Sequence, residues 1–237
     1  MARLSLPVGT VVGPLAHVDL PLRTDYEGEF IVLAPVNPHA DAKELYECAH
    51  GSDVKEQIWT YMNYGPFEGV HSMRGWLEDR AKSKDPLFFT VYHRESKCRV
   101  GMVSFLNIAS DMRRLELGHI WYSPGAQQSN VNTEAVYLML CEAFDRLKYR
   151  RVEWKCDSLN ERSRLAAMRL GFRFEGIFRQ HMVIKDRNRD TAWYSMLDSE
   201  WATVKQNMER WLYQNPDRRL SLTELNNTNS DNKSHIR

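Results

Sequence analysis

Apolar positions in this chain recur with two periods. Alternation and short apolar runs predict strands at Gly28–Val36 (GEFIVLAPV), Leu87–His93 (LFFTVYH), Arg99–Ala109 (RVGMVSFLNIA), Leu115–Tyr122 (LELGHIWY) and Arg151–Asp157 (RVEWKCD). Two further strands fall in FRFEGIFRQHMVIKDRNRDTAWYSML, joined by the polar turn KDRNRD. Helical spacing predicts one helix opening after Pro38 and closing at Gly51, and a second at VHSMRGWLEDRAKS with Ser72 as its cap. Three more are expected at Thr133–Tyr149, at ERSRLAAMRL closed by Gly171, and from Asp198 to Gln214.

The resulting order is strand, two helices, three strands, helix, strand, helix, two strands. That is an α/β chain with a mixed sheet in one domain, in which the Thr133 helix crosses between neighbouring strands as in a βαβ unit. Residues 1–27 read as an irregular N-terminal arm, 28–213 as the domain, and 214–237 as a tail. The Asn/Ser-rich end NNTNSDNKSHIR predicts disorder.

Composition narrows the function classes. A net charge of +1 gives no basic footprint for nucleic acid. Cys48, Cys98, Cys141 and Cys156 lack metal-ligand spacing and read as reduced thiols, so no metal is expected. No run nears the ~20 apolar residues that span a bilayer, and no signal peptide is evident, so a cytoplasmic protein away from membranes is expected. No dinucleotide fingerprint follows the first strand.

Chemistry concentrates at Ile120–Leu140 (IWYSPGAQQSNVNTEAVYLML), where a strand passes through a polar loop into a helix. A helix start presents unpaired N–H groups and a partial positive charge, which favour an anion such as a pyrophosphate. Gln127, Gln128, Ser129, Asn130, Val131, Asn132 and Thr133 form that loop and first turn. An ordinary capped helix uses the same residues.

The motif QQSNVN and the downstream NERSRLAAMRLGF together resemble the GNAT superfamily of acyl-CoA-dependent N-acyltransferases, and within it the RimJ/RimL-like branch. The family's pyrophosphate motif is Gln/Arg-x-x-Gly-x-Gly/Ala. Gln127 matches its first position, while Asn130 and Asn132 replace the glycine and the Gly/Ala. In the second motif Asn160, Ser163, Arg164 and Leu170-Gly171-Phe172 stand in register. The resemblance runs from about Gly28 to Leu212. It implies a single-domain GNAT fold, a mixed, mostly antiparallel sheet of six or seven strands flanked by helices, with acetyl-CoA as co-substrate. Because Asn carries a side chain where the family has Gly, the side chains of Gln128 and Asn130 are expected to lie aside from the phosphates.

The resemblance further implies roles. Ile120, Trp121 and Tyr122 would hold the pantetheine arm at a splayed strand end. Asn160 would bond pantetheine or else simply cap its helix, Ser163 would stand near the departing sulfur, and Arg164 would meet a CoA phosphate or a surface carboxylate. Glu116 is the candidate base: alternation sets Leu115 and Leu117 on one face and Glu116, Gly118 and Ile120 on the other, with His119 opposite Glu116 unless a bulge re-aims it. Trp59, Tyr61, Tyr64 and Phe67 would wall the acceptor pocket, or else pack helices. The expected activity is acetyl transfer to a primary amine, a small molecule ahead of a peptide α-amine, with a homodimer among the allowed assemblies. A succinyl donor, or a non-catalytic CoA-binding scaffold, are the alternatives.

Overall fold

In a computed structural model, residues 6–13, 19–215 and 219–231 are described. The chain forms β1 (Tyr26–Glu27), β2 (Ile31–Pro35), α1 (Pro38–Ala49), α2 (Asp53–Glu56), α3 (Val70–Lys82), β3 (Leu87–His93), β4 (Cys98–Ala109) and β5 (Arg114–Tyr122). It continues through α4 (Asn130–Leu140), β6 (Arg151–Asp157), α5 (Glu161–Arg169), β7 (Arg173–Ile184), β8 (Arg187–Leu197), α6 (Asp198–Tyr213) and α7 (Leu222–Asp231).

One sheet contains all the strands, in the order β1-β2-β3-β4-β5-β6-β8-β7. Every neighbouring pair is antiparallel except β5 and β6, which α4 connects as a parallel crossover. The sheet has eight strands rather than six or seven. The extra one, β1, lies inside the expected N-terminal arm and pairs through only two residues, Tyr26 with Leu33 and Glu27 with Val32. A two-residue strand is too short to leave a period in the sequence.

The sheet buries a core on each face. Leu115, Leu117, Val131, Ala135, Met139 and Trp201 belong to one, beneath α4 and α6. Leu45, Trp59, Met73, Leu77, Met102 and Trp121 belong to the other, beneath α1 and α3.

Three boundaries differ from expectation. The helix α4 opens at Asn130, three residues before Thr133, because Ser129 Oγ accepts from Val131 N–H at 3.2 Å and so caps it earlier. It passes into a π-helical stretch, Cys141–Arg146, and stops short of Tyr149. Ser72 is not the cap of α3; Gly69 is, and Ser72 Oγ accepts from the Gly69 N–H at 3.2 Å from the third helical position. Within the expected disordered tail, Leu222–Asp231 is helical because Leu222 is buried and Asn207 Nδ2 donates to Leu225 O at 2.9 Å. Residues 216–218 and 232–237 of the tail lie outside the described part, as do 1–5 and 14–18 of the arm.

Candidate functional site

The site forms where β5 and β6 part. Their ladder runs from Arg114–Arg151 to Leu117–Trp154 and ends there. Beyond it β6 continues on β8 to Asp157, while β5 continues on β4 to Tyr122. The two strands thus enclose a wedge, with α4 starting at the end of one and α5 at the end of the other.

A bulge in β5 shapes the wedge. Ser104 pairs with Gly118 and Met102 with Trp121, so two residues of β5 stand against one of β4. His119 absorbs the extra residue in a left-handed conformation, φ 51°. The pleat is reset beyond it. His119 and Trp121 share the face of Glu116, whereas Ile120 packs with Tyr122 on the α4 side. The strict alternation that placed Ile120 beside Glu116 is corrected by this one inserted residue. His119 stands against the rings of Phe88 at 4.8 Å and Tyr64 at 5.6 Å, and burial, reinforced by Arg80, pushes its pKa down to about 4.

Glu116 is buried, 5% exposed. Its Oε2 accepts from Asn107 Nδ2 at 2.7 Å and lies 2.8 Å from Lys155 Nζ. Burial raises its pKa, and the Lys155 ammonium and the Asn107 amide oppose that rise without cancelling it.

The loop before α4 is built from its own side chains. Gln127 turns its amide back to Tyr122 O at 3.0 Å. Gln128 is exposed and left-handed, φ 57°. Ser129 Oγ donates to Ala126 O at 2.7 Å while capping Val131. Thr133 is fully buried and accepts from Arg169 Nη2 at 2.7 Å, which ties α4 to the end of α5. Asn132 Oδ1 is buried without a hydrogen-bond partner among the described residues. Asn130 is half-buried in the first turn. The start of α4 is thus approached by a small capping side chain and one folded-back glutamine, Gln127.

Across the wedge, Asn160 Oδ1 accepts from Ser163 N–H at 3.1 Å and caps α5. Ser163 Oγ accepts from Trp154 Nε1–H at 3.0 Å. Arg164 donates to Tyr194 OH and to Ser158 O, both at 3.2 Å. Cys156 is buried, and burial pushes its thiol pKa up, as in an unreactive core side chain.

The model of the acetyltransferase (GNAT) domain matches residues 31–173, more than half the chain. The chain belongs to the GNAT acetyltransferase family. A GCN5-related N-acetyltransferase from Brucella melitensis superposes with a TM-score of 0.85 at 38% identity, over 89% of this chain and 97% of that one. A GNAT-family structure from Chromobacterium violaceum ATCC 12472 gives 0.75 at 35% identity, over 84% and 100%. YdaF of Bacillus subtilis (strain 168), provisionally named a ribosomal N-acetyltransferase, is 31% identical over 105 residues, 44% of this chain and 57% of YdaF. The matched part thus spans little more than half of that relative's length. This kinship accords with the RimJ/RimL-like branch.

In this GNAT domain the aromatics expected to wall the acceptor pocket divide. Trp59 is 1% exposed, donates from Nε1 to Ala49 O at 3.1 Å, and packs on Trp121, Tyr64 and Phe67 at 5.1, 5.9 and 5.5 Å. Tyr64 is likewise enclosed, between Trp76 and His119. Tyr61 instead reaches across the wedge, donating to Leu159 O at 3.2 Å, one residue before Asn160. Lys185, in the β7–β8 turn, donates to Trp59 O at 2.8 Å. The aromatic segment is therefore tied to both flanks of the wedge.

Sequence reasoning passed over Asn107, Lys155 and Lys185. Lys155 had one signal, since in Glu153-Trp154-Lys155 alternation puts Glu153 and Lys155 on one face. Asn107 meets Glu116 across the β4–β5 hairpin, nine residues on, and Lys185 meets Trp59 from 126 residues away; no local pattern announces either contact.

Proposed function

We propose that this protein is an acetyl-CoA-dependent N-acetyltransferase that moves an acetyl group to a primary amine in a ternary complex. The observation that carries the reading is the buried Glu116 carboxylate on β5, set at the mouth of a wedge between two helix N-termini. When bound, acetyl-CoA supplies an activated thioester carbonyl. The α4 start, with Ser129 through Thr133, would take its pyrophosphate, and Ile120 to Tyr122 with Asn160 would flank its pantetheine arm. Arg164 would meet a phosphate, and Ser163 would stand toward the sulfur. Glu116 takes the proton that the attacking amine loses as its nitrogen bonds the carbonyl carbon; the C–S bond breaks, and CoA leaves as a thiolate that takes a proton from solvent.

A small-molecule amine is the first reading of the acceptor; a peptide α-amine is the second, and one feature favours it. Trp59 is buried and Tyr64 half-buried among other rings, and a groove of about 770 Å³ runs along the β7 bulge. Phe178, Arg179, His181 and Asp190 line it, a mixture of ring and both charge signs suited to an extended chain.

The test is a screen of amines and N-terminal peptides with acetyl-CoA and succinyl-CoA, reading released thiol, alongside melting temperature with saturating acetyl-CoA. Acetyl-CoA should raise the melting temperature, and at least one amine should release thiol. Stabilisation without thiol release from any amine would leave a CoA-binding scaffold, and no stabilisation would overturn both readings. Glu116→Gln should bind acetyl-CoA normally and lose turnover about 100-fold.

A further inference from the structure

Glu116 and Glu153 occupy directly opposed positions on β5 and β6, and both are 5% exposed. Two like charges buried opposite one another on adjacent strands repel. The arrangement stands because one cation lies between them. Lys155 Nζ is 2.8 Å from Glu116 Oε2 and 2.9 Å from Glu153 Oε2. Its residue is the first on β6 beyond the last pair of the ladder, so the ammonium sits at the mouth of the wedge.

Lys155 is held from beneath as well. It pairs across the sheet with Trp193, and its ammonium rests 3.9 Å from that ring's centroid. The other charged groups on this face address Glu153 or stand further out. Arg151 Nε is 2.9 Å from Glu153 Oε1, Arg114 Nη1 is 3.8 Å from Glu153 Oε2, and Arg151 also binds Glu175 of β7. From β4 comes the neutral Asn107 amide, and from the bulge of β5 the His119 ring. Among the described residues Lys155 is the one cation within ion-pair distance of Glu116. Asn107 and Lys155 both bind Oε2, whereas no hydrogen bond to Oε1 is made among the described residues.

We propose that Lys155 is a positioning residue for acetyl transfer: it holds Glu116 as an anion, occupies Oε2, and so leaves Oε1 as the oxygen that receives the acceptor's proton. This rests on Glu116 as the base. In the step itself the amine nitrogen loses a proton and Oε1 gains it, while Lys155 keeps its own three and moves none. Burial alone would hold Glu116 protonated to higher pH, and a protonated carboxyl cannot accept.

The experiment is a carboxyl-carbon NMR titration of the whole protein made with 13C-labelled glutamate, with the Glu116 signal assigned by its loss in Glu116→Gln. Replacing Lys155 by Met should move the Glu116 titration midpoint upward by at least one pH unit, and Lys155→Arg should restore most of it. In parallel, the acid limb of kcat/KM, with the amine found in the screen, should rise with the NMR midpoint in Lys155→Met, while the acetyl-CoA Kd stays within twofold. An unmoved midpoint in a folded Lys155→Met protein overturns the role of Lys155. Wild-type turnover by Glu116→Gln instead overturns the base, whatever the titration shows. The NMR readout needs no turnover, so the two failures are distinguishable.

Discussion

Gly28 lies directly against the Glu134 carboxylate, and a Cβ at Gly28 would overlap it. Glu134 is fully buried on α4, and its oxygens accept the N–H groups of Glu29, Phe30 and Ile31, each at 2.8 Å, and the Tyr213 hydroxyl at 3.0 Å. The entry to β2, the proposed cofactor helix and the end of α6 are fastened on one side chain. Glu134→Gln turns an amide N–H₂ toward backbone donors and leaves at least one unsatisfied, at about 1–3 kcal/mol each. Urea unfolding should show a loss of about 3 kcal/mol. Gly28→Val should lose a comparable amount through overpacking. A loss below about 1 kcal/mol in both variants would show that the fastening is dispensable.

Ser129 closes the turn before α4 and caps it. Ser129→Ala should cost about 1 kcal/mol of stability. It should also shrink the rise in melting temperature that acetyl-CoA produces, because the loop then loses its bond to Ala126 O. Thermal unfolding with and without acetyl-CoA reads both effects. A full-sized ligand shift in the variant would detach the cap from cofactor binding.

His119 makes stability depend on pH in a defined window. Its folded pKa, about 4, lies below the 6.5 of the free side chain. The unfolded chain therefore binds the proton first as pH falls. The stabilisation is whole above pH 6.5 and drains toward pH 4, by about 3 kcal/mol in total. His119→Phe keeps a ring among Tyr64 and Phe88 and removes the titration. Between pH 7.5 and 4.5 the wild type should lose about 2–3 kcal/mol more than the variant in urea unfolding. Equal losses would mean that folded His119 titrates normally.

Tyr61 ties the aromatic segment to the start of α5. Tyr61→Phe removes only the hydroxyl that bonds Leu159 O. Loss of about 1 kcal/mol of ordering should raise the acceptor KM about fivefold while leaving the acetyl-CoA Kd unchanged. Steady-state kinetics with each substrate varied in turn would decide, and an unchanged acceptor KM would confine Tyr61 to a packing role.

Much of this was legible locally. The Leu115-Glu116-Leu117 alternation placed a carboxylate on the face away from the α4 core, and the structure puts it there. The loop Gln127–Thr133 was recognisable because a strand, a polar stretch and a helix start follow one another without interruption. Asn160 and Ser163 stood out through the motif they share with the GNAT family, and Asn160 caps α5. Past Gly118 legibility fails, because a bulge adds one residue without leaving a mark in the apolar pattern, and each later side chain changes face. Glu134 was illegible for a different reason. A glutamate in a helix reads as solvated, and the donors that bury it lie more than 100 residues earlier.

By itself the sequence determined the order of the longer strands and of the helices between them, the parallel crossover through α4, and the residue types available at the wedge. Periodicity, caps and turns act over a few residues, so they are written in adjacent letters. Tertiary structure alone decided that Lys155 stands between Glu116 and Glu153, that Glu134 receives the backbone of β2, and that His119 turns toward Tyr64. Each of these depends on strand register or on helix-to-sheet packing, where groups distant in the chain exclude water together and must satisfy one another's charge and hydrogen bonds.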